Sequence, residues 1–382
     1  MFGMLKHLLI ICFLGIALSI NAQKVLRGKL IASDSKKPIA GASVFLSNTS
    51  IGTVSLEDGS FIINSFPEGR YDFVVSILGY ETKTIALNSI SIPSFLEIIL
   101  TPKVKELNEV IVESYEKNGW EKWGSFFMDY LIGKTPNALD CKLLNKEVVK
   151  FRFKKKENVL RAFADEPLII RNEALGYELK YDLTLFEFNF KTNIFFYQGY
   201  PLFIDLETKR KGKVKRWQQN RQETYLGSLM HFMRSLYRNQ LVEDGFELRK
   251  IIRKKDKSTR IQLGGENNMS NMDILVNIPL NGDSIAFAID STTAGLQFSD
   301  YLQVVYPAKK MPDMYRQQTR GVGINQPMNA ELFMPDPKAS LAVLANGSYF
   351  YGKDLLALAY WAWSEKLSNL LPLDYQIPKK KK

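Results

Sequence analysis

Between Val25 and Leu100 the chain breaks into seven short apolar runs separated by turn residues, the spacing of an all-β sandwich. Strands are expected at Val25 to Ala32, Ala42 to Leu46, Gly52 to Val54, Ser60 to Asn64, Tyr71 to Ile77, Thr82 to Leu87 and Phe95 to Leu100. Asp58 and Gly59 fall between two of these runs, and Gly79 between two others. A tight turn there needs positive φ, which glycine adopts without a Cβ clash. Asp58 therefore reads as a turn former rather than a ligand.

What precedes the sandwich reads as an export signal. Lys6 and His7 lead into an uncharged run of 13 residues, Leu8 to Ile20, followed by Asn21, Ala22 and Gln23. A run this short falls below the roughly 20 residues a membrane helix needs. Residues 1–22 are therefore expected to be removed after Ala22. Ile11 before Cys12 argues against a lipid anchor. The expected location is the periplasm or the outer-membrane periphery. Cys141 is then the one thiol left, so no intrachain disulfide can form and stability must come from core burial.

Within the sandwich, Gly28, Pro38, Ile39, Gly41, Ala42, Val44, Gly52, Thr53, Asp58, Gly59, Phe61, Gly79 and Tyr80 stand in an order and spacing that resembles the carboxypeptidase-regulatory-like sandwich of Gram-negative envelope proteins. The resemblance implies a seven-strand Ig-like or prealbumin-like β-sandwich over residues 24–103, of the kind found before TonB-dependent nutrient receptors and in shorter exported proteins. Leu107 to Val112, in a linker over 104–115, is similar to the stretch that follows the sandwich in those receptors. The related part of metallocarboxypeptidases is the appendage without zinc. A zinc site of that enzyme type needs two His and a Glu, and beyond the signal the chain has His231 alone. No catalytic metal and no cofactor are expected. About 260 further residues are also too few for a receptor's plug and barrel.

Residues 116–375 read as a larger β-rich domain with a few packed helices, so the chain as a whole is mainly β with some α. A helix is expected from Glu116 to Ile132, with Trp120, Trp123, Phe127 and Leu131 on one side. Strands follow at Val148 to Phe153, Val159 to Ala164, Leu168 to Asn172, Tyr177 to Phe190 and Thr192 to Tyr197. Asn281 and Gly282, between Ile274 to Leu280 and Ser284 to Ile289, carry a strong hairpin signal, which Asn346 and Gly347 repeat. One helix is expected from Trp217 to Leu241 and a last one from Asp354 to Leu371, apolar nearly all round. The second region also looks like the downstream part of short exported proteins that begin with this sandwich, a similarity that implies no activity. Residues 376–382, ending in Lys379 to Lys382, read as a disordered basic tail.

The 51 Lys and Arg against 40 Asp and Glu give a net charge of +11. In an exported protein the runs Lys209 to Arg216 and Arg253 to Lys257 have little nucleic acid to meet, so they read as solvated loops or charged strand edges. Arg221, His231, Arg234 and Arg238 fall on one face of the expected central helix. They form a candidate anion or partner contact, since guanidinium forks suit carboxylates and phosphates. The plainer reading is that they bond carbonyls and acids of their own domain. No catalytic residue is assigned. The chain is expected to be a non-catalytic exported cell-envelope protein that acts as a protein-interaction or accessory module. The alternative is an envelope protein that binds or cleaves glycans, since paired carboxylates need neither His nor Cys. Acidic residues are plentiful, for example Asp165, Glu166, Glu187 and Asp290, but the sequence does not pair them.

Overall fold

The computed structural model describes residues 24–103, 114–260, 269–319, 322–350 and 352–378. The segment expected to be an export signal, Cys12, the Leu107 to Val112 stretch and Lys379 to Lys382 lie outside the described residues.

Seven strands build the N-terminal sandwich: β1 (Leu26–Ala32), β2 (Ser43–Leu46), β3 (Gly52–Val54), β4 (Ser60–Ile63), β5 (Arg70–Ser76), β6 (Lys83–Asn88) and β7 (Leu96–Leu100). They form one sheet in the order β4-β1-β7 and a second in the order β3-β2-β5-β6. In β1 the side chains alternate, with Leu26, Leu30 and Ala32 buried against Phe61, Phe73 and Ile98. Gly28 shares that inner face because a Cβ there would lie 2.2 Å from the Leu96 carbonyl oxygen and 2.4 Å from the Phe61 ring. Alternation fails in β2 and β5, where Phe45 and Val74 are buried on the outward face. Their cover is Leu202 of the second region.

That second region has two cores. The first lies on a six-stranded sheet of β8 (Cys141–Leu143), β9 (Val149–Lys154), β10 (Val159–Ala164), β11 (Leu168–Asn172), β12 (Tyr177–Asn189) and β13 (Ile194–Asp205). The order is β8-β11-β12-β10-β9, with β13 also paired to β12. Helix α1 (Gly119–Leu131) closes one face, its Phe127 and Leu131 packing with Phe151, Leu179 and Phe186. Two helices, α2 (Lys211–Tyr225) and α3 (Leu229–Tyr237), lead to the second core. This is built on β14 (Glu247–Arg260), β15 (Met269–Leu280), β16 (Ala286–Asp290), β17 (Thr293–Leu296), β18 (Tyr301–Lys310), β19 (Pro327–Phe333), β20 (Leu341–Leu344) and β21 (Leu356–Ala359), with short helices α4 (Asp313–Gln318) and α5 (Tyr360–Ser364). The sheets run β15-β14-β18-β19-β21 and β16-β17-β20, and α3 places Phe232, Met233 and Leu236 in the core they enclose.

Three sequence expectations are corrected here. The helix expected over Trp217 to Leu241 is two helices, because Gly227 turns the chain at φ 71° and the Ser228 side chain caps α3 by accepting from the His231 N–H. The apolar run after Asp354 is not one helix: β21, α5 and a 3₁₀ turn at Leu367–Asn369 share it, with Ala359 at φ 52° where strand becomes helix. Asn281 and Gly282 do not close a hairpin. Asn281 caps a 3₁₀ turn at Gly282–Ser284, and the strands on either side of it belong to different sheets.

The segment after α5 acts as a strap. Leu367 and Leu371 enter the first core of the second region, while Leu373 packs against the sandwich core. Asn172 Nδ2 donates to the Ser368 carbonyl at 2.9 Å, and the Leu373 N–H donates to the Asn48 carbonyl at 2.6 Å. Sandwich and second region also meet edge to edge, through Asn48 N–H to Pro201 O at 2.8 Å and Phe203 N–H to Thr49 O at 3.0 Å. Among the described residues no helix is long and apolar enough to cross a membrane.

Candidate functional site

The four residues of the expected cationic face are separated by the break at Gly227. On α2, Arg221 donates from Nε to the Leu175 carbonyl at 2.7 Å and from one terminal nitrogen to Gly176 O at 3.1 Å and Asp205 Oδ1 at 2.8 Å. Its guanidinium lies 3.7 Å from the Tyr177 ring centroid. On α3, Arg234 is buried and reaches three carbonyls, those of Asn346 at 2.9 Å and of Leu373 and Tyr375 at 3.0 Å each. Arg238 donates to Asp244 at 2.6 Å and to Gln240 at 3.1 Å. The ring of His231 is enclosed by Tyr225, Phe246 and Tyr306, and its Nδ1 accepts the Gly227 N–H at 3.2 Å. Burial pushes its pKa down to about 4. The donors of this set therefore serve groups of the same chain, and they do not converge on one anion.

Sequence reading missed the groups that bind the helix joint. Lys309 Nζ donates to the Glu223 and Leu226 carbonyls at 2.9 Å each, a cation at the end of α2, where the carbonyl ends of the peptide dipoles favour one. Glu365 Oε1 accepts the Leu229 N–H at 3.2 Å, an anion at the start of α3. Burial raises the pKa of Glu365 and lowers that of Lys309 to about 8. Trp361 Nε1 closes the knot by donating to the Gly227 carbonyl at 3.0 Å. A readable signal existed in Gly227-Ser228, a helix stop followed by a capping residue. Nothing local marked Lys309 or Glu365.

A groove runs along the end of β13 and α2 towards the place where sandwich and strap meet. A cavity of about 690 Å³ is lined by Asp205, Glu207, Thr208, Lys209, Trp217, Gln218 and Arg221, among others. A neighbour of about 280 Å³ shares Asp205, Gln218 and Arg221 and adds Ser50, Tyr177, Asp374, Tyr375 and Gln376. Trp217 is fixed by its indole N–H on the Glu173 carbonyl at 2.8 Å and by close contact with Gly176. Asp374 accepts from the Ser50 N–H at 3.1 Å and from the Ser50 hydroxyl, so the strap itself forms a wall of the groove. Its lining is polar and of mixed charge, with carboxylates, side-chain amides and hydroxyls around Arg221.

Three of the four acids named from the sequence are held by groups of their own chain. Asp165 pairs with Lys150, Glu187 meets Arg161 at 2.7 Å, and Asp290 accepts the Thr292 N–H at 2.7 Å in the second core's smaller sheet. Among the described residues no group of three or more His, Cys, Asp and Glu is placed to hold a metal ion. Asp58 accepts the Ser60 N–H at 2.9 Å, and the bonds from Ser60 lower its pKa, while Gly59 and Gly79 adopt φ 77° and 87°.

The model of the CarboxypepD_reg-like domain family matches residues 26–112, which covers the sandwich and confirms the resemblance carried by its glycine and turn pattern. No curated protein matches the chain. Among solved structures, two interface mutants of a type II cohesin–X-dockerin complex from Acetivibrio cellulolyticus are similar at 22% and 25% identity. They cover 21% and 20% of this chain and 58% and 52% of theirs, with TM-scores of 0.19 and 0.17. The chain thus spans a little over half the length of those it matches. A Bacteroides fragilis protein described as membrane-associated and of unknown function aligns over 86% of this chain and 92% of its own, at 9% identity and TM-score 0.17. At these TM-scores none superposes on the chain as a whole.

Proposed function

We propose that the chain is a non-catalytic accessory module of the cell envelope that engages a partner at the groove between sandwich, α2 and strap. The observation that carries this reading is the groove itself. Its smaller cavity lies where the sandwich, the six-stranded body and the strap meet, the kind of junction where binding sites concentrate, and the larger one beside it, between β13 and α2, falls within the usual size range of such sites. Two further facts support it. Arg221 is already held by Leu175, Gly176 and Asp205, so it presents a fixed wall to the groove, and residues 26–112 match a CarboxypepD_reg-like domain. The export signal read at residues 1–22 supports the envelope setting.

The test is photo-crosslinking in cells from a reporter amino acid at Gln218, followed by mass spectrometry, with a second reporter at the remote Asp283 as control. One envelope protein captured from Gln218 and absent from the control is the expected result. The same abundant proteins from both positions would refute the reading.

A second reading, glycan binding, is favoured by the lining of the groove. Asp205, Glu207, Asp374, Gln218, Gln376, Ser50 and Thr208 offer the hydroxyl-matching groups a sugar needs. A glycan array probed with the mature protein and with a Gln218→Ala variant separates the two readings. Glycan signal that vanishes in the variant favours the sugar, and a blank array favours the protein partner.

A further inference from the structure

Six of the eight residues from Lys209 to Arg216 are basic, and they lead into and open α2. Lys213 serves the fold, since it pairs with Glu173 at 2.7 Å. The other five, Lys209, Arg210, Lys211, Lys215 and Arg216, are exposed and pair with no described acid. Lys211 and Lys215 stand one turn apart on one face, with Arg216 beside them, while Trp217 turns inward.

This charge works against its own helix. The first turn of α2 holds no acid and Arg210 offers it no side-chain cap, so cations crowd the end to which the peptide dipoles already point their positive poles. Such a placement serves something outside the fold. More charge gathers on the same side. Pro378 lines the smaller cavity beside Gln218 and Arg221 of α2, and Lys379 to Lys382 follow it in the chain. Four residues reach at most about 14 Å, so those four charges stay near α2. The acids nearby are Glu207, Asp205 and Asp374, and Asp205 is already paired with Arg221.

We propose that the ridge formed by these cations is a contact for the surface of an anionic phospholipid membrane, held by charge and without insertion. Charge, shape and residue type select that occupant. Nine basic residues beside so few acids call for a polyanion, and seven of the nine are lysines. Lysine acts as a point charge suited to a diffuse field of headgroups, whereas a single phosphate or carboxylate is gripped by arginine forks. The cations of α2 stand on the outside of a helix and not in a cleft, so a broad surface can reach them together. The one aromatic ring of the stretch, Trp217, is 4% exposed and offers no platform for bases or sugars. Val214, 37% exposed, is the one apolar side chain among the cations, too little to insert. The contact stands apart from the groove reading, because of the five helix cations only Lys209 lines the groove.

Flotation of the mature protein with vesicles of phosphatidylcholine mixed with phosphatidylglycerol is expected to recover it with the lipid at low salt, and phosphatidylcholine alone is expected to leave it behind. Salt at about 0.5 M should release it, since screening then acts within a few ångströms. Each basic residue close to an anionic surface strengthens binding about fivefold, so Lys211→Gln, Lys215→Gln and Arg216→Gln together are expected to weaken it about tenfold or more. A control triple, Arg27→Gln, Lys37→Gln and Lys83→Gln, removes the same charge from exposed positions of the sandwich and is expected to bind like the wild type. Lys215→Glu alone keeps the test open should the ridge triple misfold, with a loss of about fivefold or more expected. Absence of lipid recovery at low salt overturns the proposal, as does an equal loss in control and ridge variants. Binding of an acidic polysaccharide or of duplex DNA by a protein that ignores the vesicles also overturns it.

Discussion

Replacing Arg234 with methionine removes three bonds at once and keeps most of the side-chain volume. Arg234 is 5% exposed, and its guanidinium meets the Asn346, Leu373 and Tyr375 carbonyls, the last two in the strap. The described structure shows no ion pair for it, so the attraction is that of a cation for carbonyl dipoles. A hydrogen bond to a charged group contributes about 1.5–3 kcal/mol, so three would nominally exceed 4 kcal/mol. Two effects reduce that figure. Methionine relieves the desolvation of a buried charge, and the strap carbonyls lie near the groove, where water can replace part of what they lose. A loss of about 2–4 kcal/mol remains, a fall in melting temperature of roughly 3–5 °C for a chain of this size. The location of the damage is the sharper signature. Limited proteolysis of Arg234→Met is expected to cut first between Leu370 and Pro378, at protease levels that leave the wild type intact. Arg234→Lys should recover only part of the loss, because one ammonium cannot span three carbonyls set around a fork. A melting temperature within about 1 °C of wild type, with the strap still protected, would falsify the reasoning.

Three further outcomes follow from local geometry. Because burial holds the folded pKa of His231 at about 4, below its ordinary 6.5, the neutral ring contributes stability that is full above about pH 6.5 and is lost as pH falls through about 4. His231→Asn, which keeps an acceptor near the Gly227 N–H, should flatten the acid limb of stability in that window, and an unchanged limb counts against it. Gly176→Ala is expected to lose about 2–4 kcal/mol in urea unfolding, because φ is 73° and the new Cβ would sit 2.3 Å from the Trp217 ring. A loss below about 0.5 kcal/mol would show that Trp217 yields freely. Burial pushes the Cys141 thiol up to about 12, so a thiol reagent at pH 8 should leave folded protein unlabelled and label it once urea unfolds the first core. Prompt labelling of native protein would contradict that.

The sandwich was legible because its information is local. Each strand there is a short run closed by a turn former, and Asp58-Gly59 and Gly79 sit where the chain must turn with positive φ. The long strand β12 was readable for the same reason, from alternation of apolar and polar residues, whereas β13 was read only as far as Tyr197 of a strand that runs to Asp205. Expectation failed where one local pattern is compatible with two structures. An apolar run such as Leu355 to Ser364 shows no preferred face, so it suits a buried helix or a buried strand equally, and only packing against β19 decides for strand at Leu356–Ala359. Asn281-Gly282 has the chemistry of a hairpin turn, but β15 and β16 find partners elsewhere, a choice made by contacts distant in sequence. The cationic face was drawn on a helix that Gly227 interrupts, and the partners of Arg221 and Arg234 are backbone carbonyls, which no composition reveals. One cue was present and unread. The unbroken apolar runs Val44-Phe45-Leu46 and Phe73-Val74-Val75 signal a sheet covered on both faces, and hence a neighbour for the sandwich.

The bonds between Ser50 and Asp374 join positions 324 residues apart. Under tension applied between residues 24 and 378, load would therefore pass from the sandwich into the strap and, through Arg234, into α3. The first rupture would be the peeling of the strap, one contact at a time, which is a low-force event, whereas the paired edges at Asn48–Pro201 and Thr49–Phe203 would give way only afterwards. Pulled at both ends, such a molecule would release the strap before the sheets of either core came unpaired, as a compliant element set in series with stiff ones.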